Sequence, residues 1–326
     1  MLIDPHQRRI SYLRLSITDL CNFKCQYCLP DGYQCDDKPS FMNVDEIRRV
    51  TTAFAELGVW KVRITGGEPT VRKDFQQIAK TISQVPGIDR IAVTTNGFRL
   101  LNNAHHWRAV GINRLNVSVD SLNPATFNEI TGHNRLPDIL KGIDQAMDLD
   151  FDQVKANVVL HKGINDDEKS LKDFFNWTKN KKICVCFIEL MQTGENKEYF
   201  QRYHSSADNL RQHFLNTGWT PSKRTASAGP AIVYNHPDHT GNVGIIAAYS
   251  PSFCEGCNRL RISATGDLHL CLFGNNGIPL RQLLQADSQK EELKQSILTH
   301  LDEKVPAHFL SDGNPGGTPH LASIGG

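Results

Sequence analysis

The chain has 326 residues, 39% of them hydrophobic and 22% charged, with a net charge of +1. That length and balance describe a globular chain of one large domain or two ordinary ones, able to bury a core without disulfide or metal staples. The near-neutral charge excludes a global field drawing the protein to nucleic acid or membrane, so anion binding must come from local clusters of Arg and Lys. The N-terminus lacks the apolar core of a signal peptide and no stretch is long and apolar enough to span a bilayer, so the expected compartment is the cytosol.

Hydrophobic patterning then alternates strand and helix. Strands are expected at Tyr12–Thr18, Trp60–Thr65, Arg90–Thr95, Arg114–Val119, Gln153–Leu160 and Ile183–Met191, each short, mostly apolar and rich in β-branched residues. The clearest helix runs from Val44 to Leu57, with Asn43 as N-cap, Glu46 completing a capping box and Gly58 as stop. Others are expected near Asp74–Gln84, Asn102–Val110, Leu136–Leu149 and Asp167–Asn180. Consecutive βα units imply a parallel sheet with right-handed crossovers, as an open doubly wound sheet or as a barrel. After residue 218 the pattern changes. Trp219–Thr225, Ala231–His236 and Val243–Ala248 read as shorter strands, and a tail from Ser311 to Gly326 is rich in Gly, Pro and Ser. This predicts two units, 1–218 and 219–326.

Nine cysteines, an odd count, point to metal or catalysis rather than to a disulfide framework. Cys21, Cys25 and Cys28 have the spacing C-x3-C-x2-C. Three thiolates this close can converge on one metal centre from a single loop. Zinc usually takes four protein ligands, and no fourth Cys or His lies in the loop, Cys35 being the nearest. On a four-iron cluster, three thiolates leave one iron open to substrate. The rival reading is three buried or zinc-binding cysteines. Tyr27, just before the last cysteine, suggests a wall beside that ligand.

Cys254, Cys257 and Cys271 form a second triad, spaced C-x2-C-x13-C and followed after Cys257 by Asn258-Arg259-Leu260-Arg261. Zinc, with His269 as fourth ligand, stays open here, because i, i+2 spacing on a strand puts His269 and Cys271 on one face. In a βα barrel, chemistry sits at the C-terminal ends of strands. There lie Gly66-Gly67-Glu68-Pro69, Thr94-Thr95-Asn96-Gly97 and Ser118-Val119-Asp120-Ser121. Paired glycines let a backbone approach a ligand closely. The short polar residues suit ribose contacts or, equally, helix capping. Arg14, Lys61, Arg63 and Lys155 place cations on or beside strands, where an unpaired buried charge is unfavourable. A polyanionic substrate in the barrel would account for them; ion pairing or outward exposure would too.

The first triad resembles the signature of the radical S-adenosylmethionine superfamily, and the Gly-Gly-Glu-Pro turn resembles that superfamily's motif for the amino group of S-adenosylmethionine. Cys-x-x-Cys-Asn-Arg-x-Arg with a distant Cys-Leu-Phe resembles the second cluster of the GTP 3′,8-cyclase family, also called molybdenum cofactor biosynthesis protein A. Nearly the whole chain shares the likeness, including Tyr-Leu-Arg-Leu-Ser-Ile-Thr-Asp, Arg-Ile-Thr-Gly-Gly-Glu-Pro, Val-Ser-Val-Asp-Ser, Phe-Ile-Glu-Leu-Met and Gly325-Gly326.

The resemblance implies a partial (β/α)6 TIM-type barrel with a small C-terminal β-containing domain closing it. It implies two 4Fe-4S clusters, S-adenosylmethionine as cofactor, and a lyase that uses a deoxyadenosyl radical to abstract the 3′ hydrogen of GTP. The ribose carbon then joins the 8 position of guanine, giving (8S)-3′,8-cyclo-7,8-dihydroguanosine 5′-triphosphate for molybdenum cofactor biosynthesis. By position, Arg14, Lys61, Arg63, Thr94, Lys155, Arg259 and Arg261 match GTP contacts, with Arg14, Arg259 and Arg261 catalytic. Tyr27, Gly67, Ser118 and Met191 match S-adenosylmethionine contacts. Implied partners are an electron donor of flavodoxin or ferredoxin type and, downstream, cyclic pyranopterin monophosphate synthase. Monomer and homodimer stay open.

One departure stands out: the family usually has arginine where this chain has Cys186. The Gly325-Gly326 tail reads either as a frayed end or, by the resemblance, as a segment inserting into the barrel mouth to order the arginines. Three rival readings are another two-cluster radical enzyme acting on a peptide, a ferredoxin-like electron carrier, and a zinc-stabilised binding protein.

Overall fold

Period-2 alternation along six parallel strands sets the architecture. The computed structural model describes residues 1–34, 40–223, 228–274 and 277–325. Cys35, Gly326 and the end of the expected Trp219–Thr225 strand lie outside the described residues. The first part of the chain runs β1 (Tyr12–Ser16), α1 (Val44–Glu56), β2 (Lys61–Thr65), α2 (Phe75–Ser83), β3 (Arg90–Thr95), α3 (Leu100–Ala109), β4 (Arg114–Ser118), α4 (Pro124–Thr131), α5 (Leu136–Met147), β5 (Gln153–Leu160), α6 (Glu168–Lys179) and β6 (Ile183–Glu189). Helices α7 (Lys197–Tyr203) and α8 (Ala207–Asn216) precede the shorter strands β7 (Thr220–Pro221), β8 (Ile232–Asn235) and β9 (Asn242–Ile246). Then come β10 (Arg259–Ile262), β11 (Asp267–His269), β12 (Ile278–Pro279) and α9 (Lys290–Leu301).

All twelve strands join one sheet in the order β12-β11-β10-β1-β2-β3-β4-β5-β6-β9-β8-β7. It is a mixed α/β fold whose sheet stays open. The C-terminal strands flank the six-stranded barrel on both sides: β10 runs parallel to β1, and β9 parallel to β6. Among the described residues no helix is long and apolar enough to cross a membrane.

On the outer face of the strands, Leu13, Leu15, Val62, Ile64, Val93, Leu115, Val117, Ala156 and Val158 are fully buried in the main core, shared with the helices. Their alternates, such as Tyr12, Arg14, Lys61, Arg63, Thr94, Asn116, Ser118, Lys155 and Asn157, line an interior cavity. These strands are therefore half apolar rather than apolar on both faces, because the barrel holds a polar chamber where a packed barrel would hold side-chain layers.

Local chemistry fixes the ends. Asn43 accepts the Glu46 N–H at 2.9 Å, and the Glu46 carboxylate accepts the Asn43 N–H at 2.8 Å, closing the capping box of α1. Glu46 is also paired with Arg281 at 2.9 Å, which pins the C-terminal segment onto that helix. Helix α4 starts from an Asn123 cap with Pro124 in its first turn and stops at Gly132 in the left-handed region.

Candidate active site

The cysteine loop after β1 is docked by its own backbone and by one aromatic anchor. Lys24 N–H donates to Thr131 O at 3.1 Å and Gln26 N–H to Ile130 O at 2.9 Å, both on the end of α4. Phe23 is buried, stacked on His133 at 4.6 Å and edge-on to Phe98 and Phe127. Cys28 and Leu29 N–H groups both donate to Cys25 O at 2.9 Å, a turn that returns Cys28 toward Cys25. Gly66 and Gly67 pack against this loop. A Cβ on Gly66 would fall 2.1 Å from Thr18 O, and one on Gly67 2.4 Å from Asp19 O and Leu20 O. The pair thus serves a close approach of two backbones. Glu68 of the same motif is fully buried and accepts from Thr70 N–H at 3.0 Å, Thr95 hydroxyl at 2.8 Å and Asn96 N–H at 2.6 Å, tying the β2 and β3 loops together.

The second triad is assembled from separate segments. Cys257 N–H donates to Cys254 O at 3.1 Å, and the next residue's carbonyl accepts Ser11 N–H at 3.2 Å, seating the turn at the start of β1. Cys271 follows β11. Arg8 donates to Cys254 O at 3.1 Å, and the buried Lys304 ammonium donates to Leu270 O.

Both triads open onto one cavity of about 610 Å³. Its wall also carries Tyr27, Gly67, Ser118 and Met191, and Arg14, Lys61, Arg63, Thr94, Lys155, Arg259 and Arg261. Strand register stacks the cations in layers. Tyr12 lies level with Lys61 and Arg259, and Arg14 level with Arg63 and Arg261. Thr94 is level with Asn116, and Asn116 with Lys155. Arg63 donates to Thr94 hydroxyl at 3.3 Å. The cavity's carboxylates are Asp120 and Glu189, at the far end of their strands. Burial, aided by repulsion from neighbouring cations, brings Lys61 down to about 8, Arg14 to about 9 and Arg261 to about 10. Among the described residues, Nε of Arg63, Arg259 and Arg261 is buried without a hydrogen-bond partner. A chamber of strained cations with unused donors is chemically suited to a polyphosphate.

Tyr27 is held rather than free: its hydroxyl donates to Asp120 at 3.0 Å, and the other Asp120 oxygen accepts Val159 N–H at 2.8 Å. Burial raises Asp120 to about 6. Asn196 donates to the carbonyls of both Tyr27 and Met191 at 3.1 Å.

The thiols present fit iron–sulfur clusters. Burial pushes Cys21 up to about 11, Cys28 to about 12 and Cys25 well above its ordinary value, so a cationic metal centre is what would ionise them. Around Cys257, burial is overcome by Arg259 and Lys304, which bring that thiol down to about 6. Among the described residues no three His, Cys, Asp or Glu side chains close on a point for a single ion; a four-iron cluster takes its thiolates on separate irons. His269, the candidate fourth zinc ligand, is not on the cavity wall; its ring packs where a Cβ on Gly277 would fall, 2.7 Å away. Cys186 is on the wall, buried on β6 level with Asn157 and Gly244. Burial pushes its thiol up to about 12, against the pull of Lys155.

The tail reaches the first triad. Leu321 and Ala322 lie on the cavity wall, and their backbones bear on the Cys28 thiol, working against the effect of its burial. Ile324 is buried, and Gly325, at φ +65°, approaches so closely that a Cβ would fall 2.1 Å from Thr65 Cγ2. Patterning left Tyr12, Arg8, Lys304 and Asn196 unassigned. Only Tyr12 carries a signal, since it stands two residues before Arg14 on the same inward face.

Comparison with known proteins places this geometry in context. Residues 15–175 match the radical SAM superfamily pattern and residues 183–310 the Molybdenum Cofactor Synthesis C pattern. A GTP 3′,8-cyclase of Vibrio cholerae is 54% identical over 325 residues, covering 99% of this chain and 97% of its own. One from Tolumonas auensis is 52% identical over 326 residues, covering 100% and 96%. Among solved structures, SuiB of Streptococcus suis bound to S-adenosylmethionine shares the fold, with a TM-score of 0.65 over 94% of this chain and 75% of that one at 13% identity.

Proposed function

The chain belongs to the GTP 3′,8-cyclase family of radical S-adenosylmethionine enzymes, and from that premise we propose that its cavity converts GTP to (8S)-3′,8-cyclo-7,8-dihydroguanosine 5′-triphosphate, the first step of molybdenum cofactor biosynthesis. The observation that carries this reading is a single cavity walled by two three-cysteine sets and by stacked layers of buried cations. Cys21, Cys25 and Cys28 hold one 4Fe-4S cluster, and Cys254, Cys257 and Cys271 the other. When bound, the clusters and S-adenosylmethionine supply the electron and the hydrogen-abstracting radical.

The chain's own residues supply position and charge. Tyr27, Gly67, Ser118 and Met191 form the S-adenosylmethionine wall, kept in place by the Asp120 and Asn196 bonds. Lys61, Arg63, Lys155 and Thr94 hold GTP by its phosphates and ribose. Arg14, Arg259 and Arg261 do the same and form the catalytic set, since they join the phosphate layers to the second triad. Fixing both ends of the nucleotide leaves one ribose hydrogen within reach. The apolar tail residue Leu321, on the cavity wall, excludes water from the first triad. Residues 1–218 act as the barrel unit and 219–326 as the unit bringing the second triad and the tail. The electron comes from a flavodoxin- or ferredoxin-type donor, the product passes to cyclic pyranopterin monophosphate synthase, and the setting is cytoplasmic.

Anaerobic incubation with GTP, S-adenosylmethionine and a reductant tests this. The expected result is 5′-deoxyadenosine together with a product convertible to a pterin. Deoxyadenosine formed without GTP consumption would overturn the assignment of substrate.

A further inference from the structure

The cations of the barrel sit on alternate residues, and continuing that alternation toward the start of each strand reaches a layer formed by Tyr12, Lys61 and Arg259, level across β2, β1 and β10. Tyr12 differs from its neighbours in carrying no charge. It is 2% exposed and lies on the cavity wall. The Lys61 ammonium stands 4.3 Å from its ring centroid, and the Arg63 guanidinium carbon 5.7 Å away. Its hydroxyl is buried with no hydrogen-bond partner among the described residues. A tyrosine hydroxyl in the interior normally finds a partner, because leaving one unpaired forfeits the hydrogen bond it made to water. Among the described residues the charged groups that act on it are donors, namely Arg14, Lys61, Arg63, Arg259 and Arg261, so what is missing is an acceptor. Burial alone would raise the phenol. Arg63, Arg14, Lys61 and Arg259 overcome it and bring Tyr12 down to about 8, which makes the hydroxyl a stronger donor.

We propose that Tyr12 is a further substrate-binding residue, whose hydroxyl donates a hydrogen bond to the polyphosphate of GTP at the end of the cavity where Lys61 and Arg259 converge. The inference rests on the reading that GTP fills this cavity. Lys61 over the ring face holds the phenol in place, and the phosphate oxygen supplies the acceptor that the protein does not. Tyr12 thereby contributes to preference for a phosphorylated nucleoside rather than to recognition of the base.

The test uses Tyr12→Phe in the cluster-loaded enzyme, with unchanged iron content and melting temperature as the check on folding. Equilibrium dialysis compares GTP, guanosine and inorganic tripolyphosphate. The expected result is GTP and tripolyphosphate each bound about tenfold more weakly, guanosine unchanged, and KM raised with little change in kcat. Equal GTP affinity in both proteins would overturn the inference. Guanosine weakened as much as GTP would overturn it as well, by showing a general effect on the cavity. Failure of the unsubstituted enzyme to bind GTP would bring down the underlying reading and this inference together, and so is distinguishable from failure of Tyr12 alone.

Discussion

The two cysteine triads differ at one thiol: burial raises Cys254 of the second as it raises the thiols of the first, whereas neighbouring cations bring Cys257 down. The first comes from a single loop, Cys21 to Cys28, docked by Phe23 and covered by the chain's tail, and burial favours the protonated form of its thiols. The second joins the Cys254–Cys257 turn to Cys271, across Arg259, Arg261 and Lys304, which favour the thiolate at Cys257. The cations beside the second triad are continuous with the other cation layers of the cavity, so in the function proposed above one charge cluster would serve both metal ligands and substrate. A locally coded site can be seated anywhere. A site built from distant segments exists only once the fold has brought them together.

Replacing one ligand in each triad is the most drastic way to break this comparison. Cys25→Ala is expected to abolish both deoxyadenosine release and GTP cyclisation, a loss of more than about a thousandfold, with iron falling from about eight to about four per chain. Cys257→Ala is expected to lose the same iron and the same cyclisation while still cleaving S-adenosylmethionine. Iron analysis and deoxyadenosine yield, measured on both proteins, separate the roles. Deoxyadenosine lost equally in both would mean that the triads do not divide the work.

Smaller in effect is a change that reaches the first triad through the tail. Gly325→Val places a side chain on Thr65, against a φ of +65° that a β-branched residue avoids. The tail then lifts, and Leu321 and Ala322 move away from Cys28 and the cavity wall. Turnover should drop about tenfold with iron content unchanged. Undiminished turnover would detach the tail from the first triad's function.

How much of this could be read from the chain divides along the same line. The first triad, the capping box of α1 and all six barrel strands are local, and spacing or periodicity exposes them; strand ends overshoot where Thr18 or Met191 turns out of the sheet. β10, β11 and β12 span only 4, 3 and 2 residues, and the charges of Arg259 and Arg261 hide the apolar alternation of β10. Periodicity did not distinguish an open sheet from a barrel, because both present the same βα units. Gly66 and Gly67 suggested close approach to a ligand; both lie on the cavity wall, and what the sequence did not show is that they also meet the backbone of Thr18, Asp19 and Leu20. Arg8 and Lys304 had no signal at all: each reaches a backbone carbonyl beside a cysteine from hundreds or tens of residues away, and a lone Arg or Lys in sequence reads as surface.

The pH response sharpens the contrast from the side of the second triad. Lys61 and Tyr12, in contact, both sit near 8. Burial disfavours the charged ammonium, while the phenol is pulled down by Arg63, Arg14, Lys61 and Arg259. Whichever gives up its proton, the pair loses one positive charge as pH rises through about 8. KM for GTP is expected to climb severalfold between about pH 7 and 9, and Lys61→Gln should flatten the rise while raising KM throughout. A KM independent of pH in the unsubstituted enzyme would show that the pair stays clear of the phosphates.

The mildest change concerns Cys186, where the family usually has arginine. Its thiol is on the cavity wall, with Lys155 and Arg63 acting on it electrostatically and Gly244 level on β9. A guanidinium there adds charge to a cluster already held against its own repulsion. In the empty cavity, Cys186→Arg should therefore lower the melting temperature by a few degrees (~1 kcal/mol). With GTP bound, the added donor meets phosphate and the loss should be recovered, with KM reduced about threefold. The two readouts must move in opposite directions. A lower melting temperature without tighter GTP binding would mean that position 186 does not meet the substrate, and that this chain's cysteine is an ordinary buried wall residue.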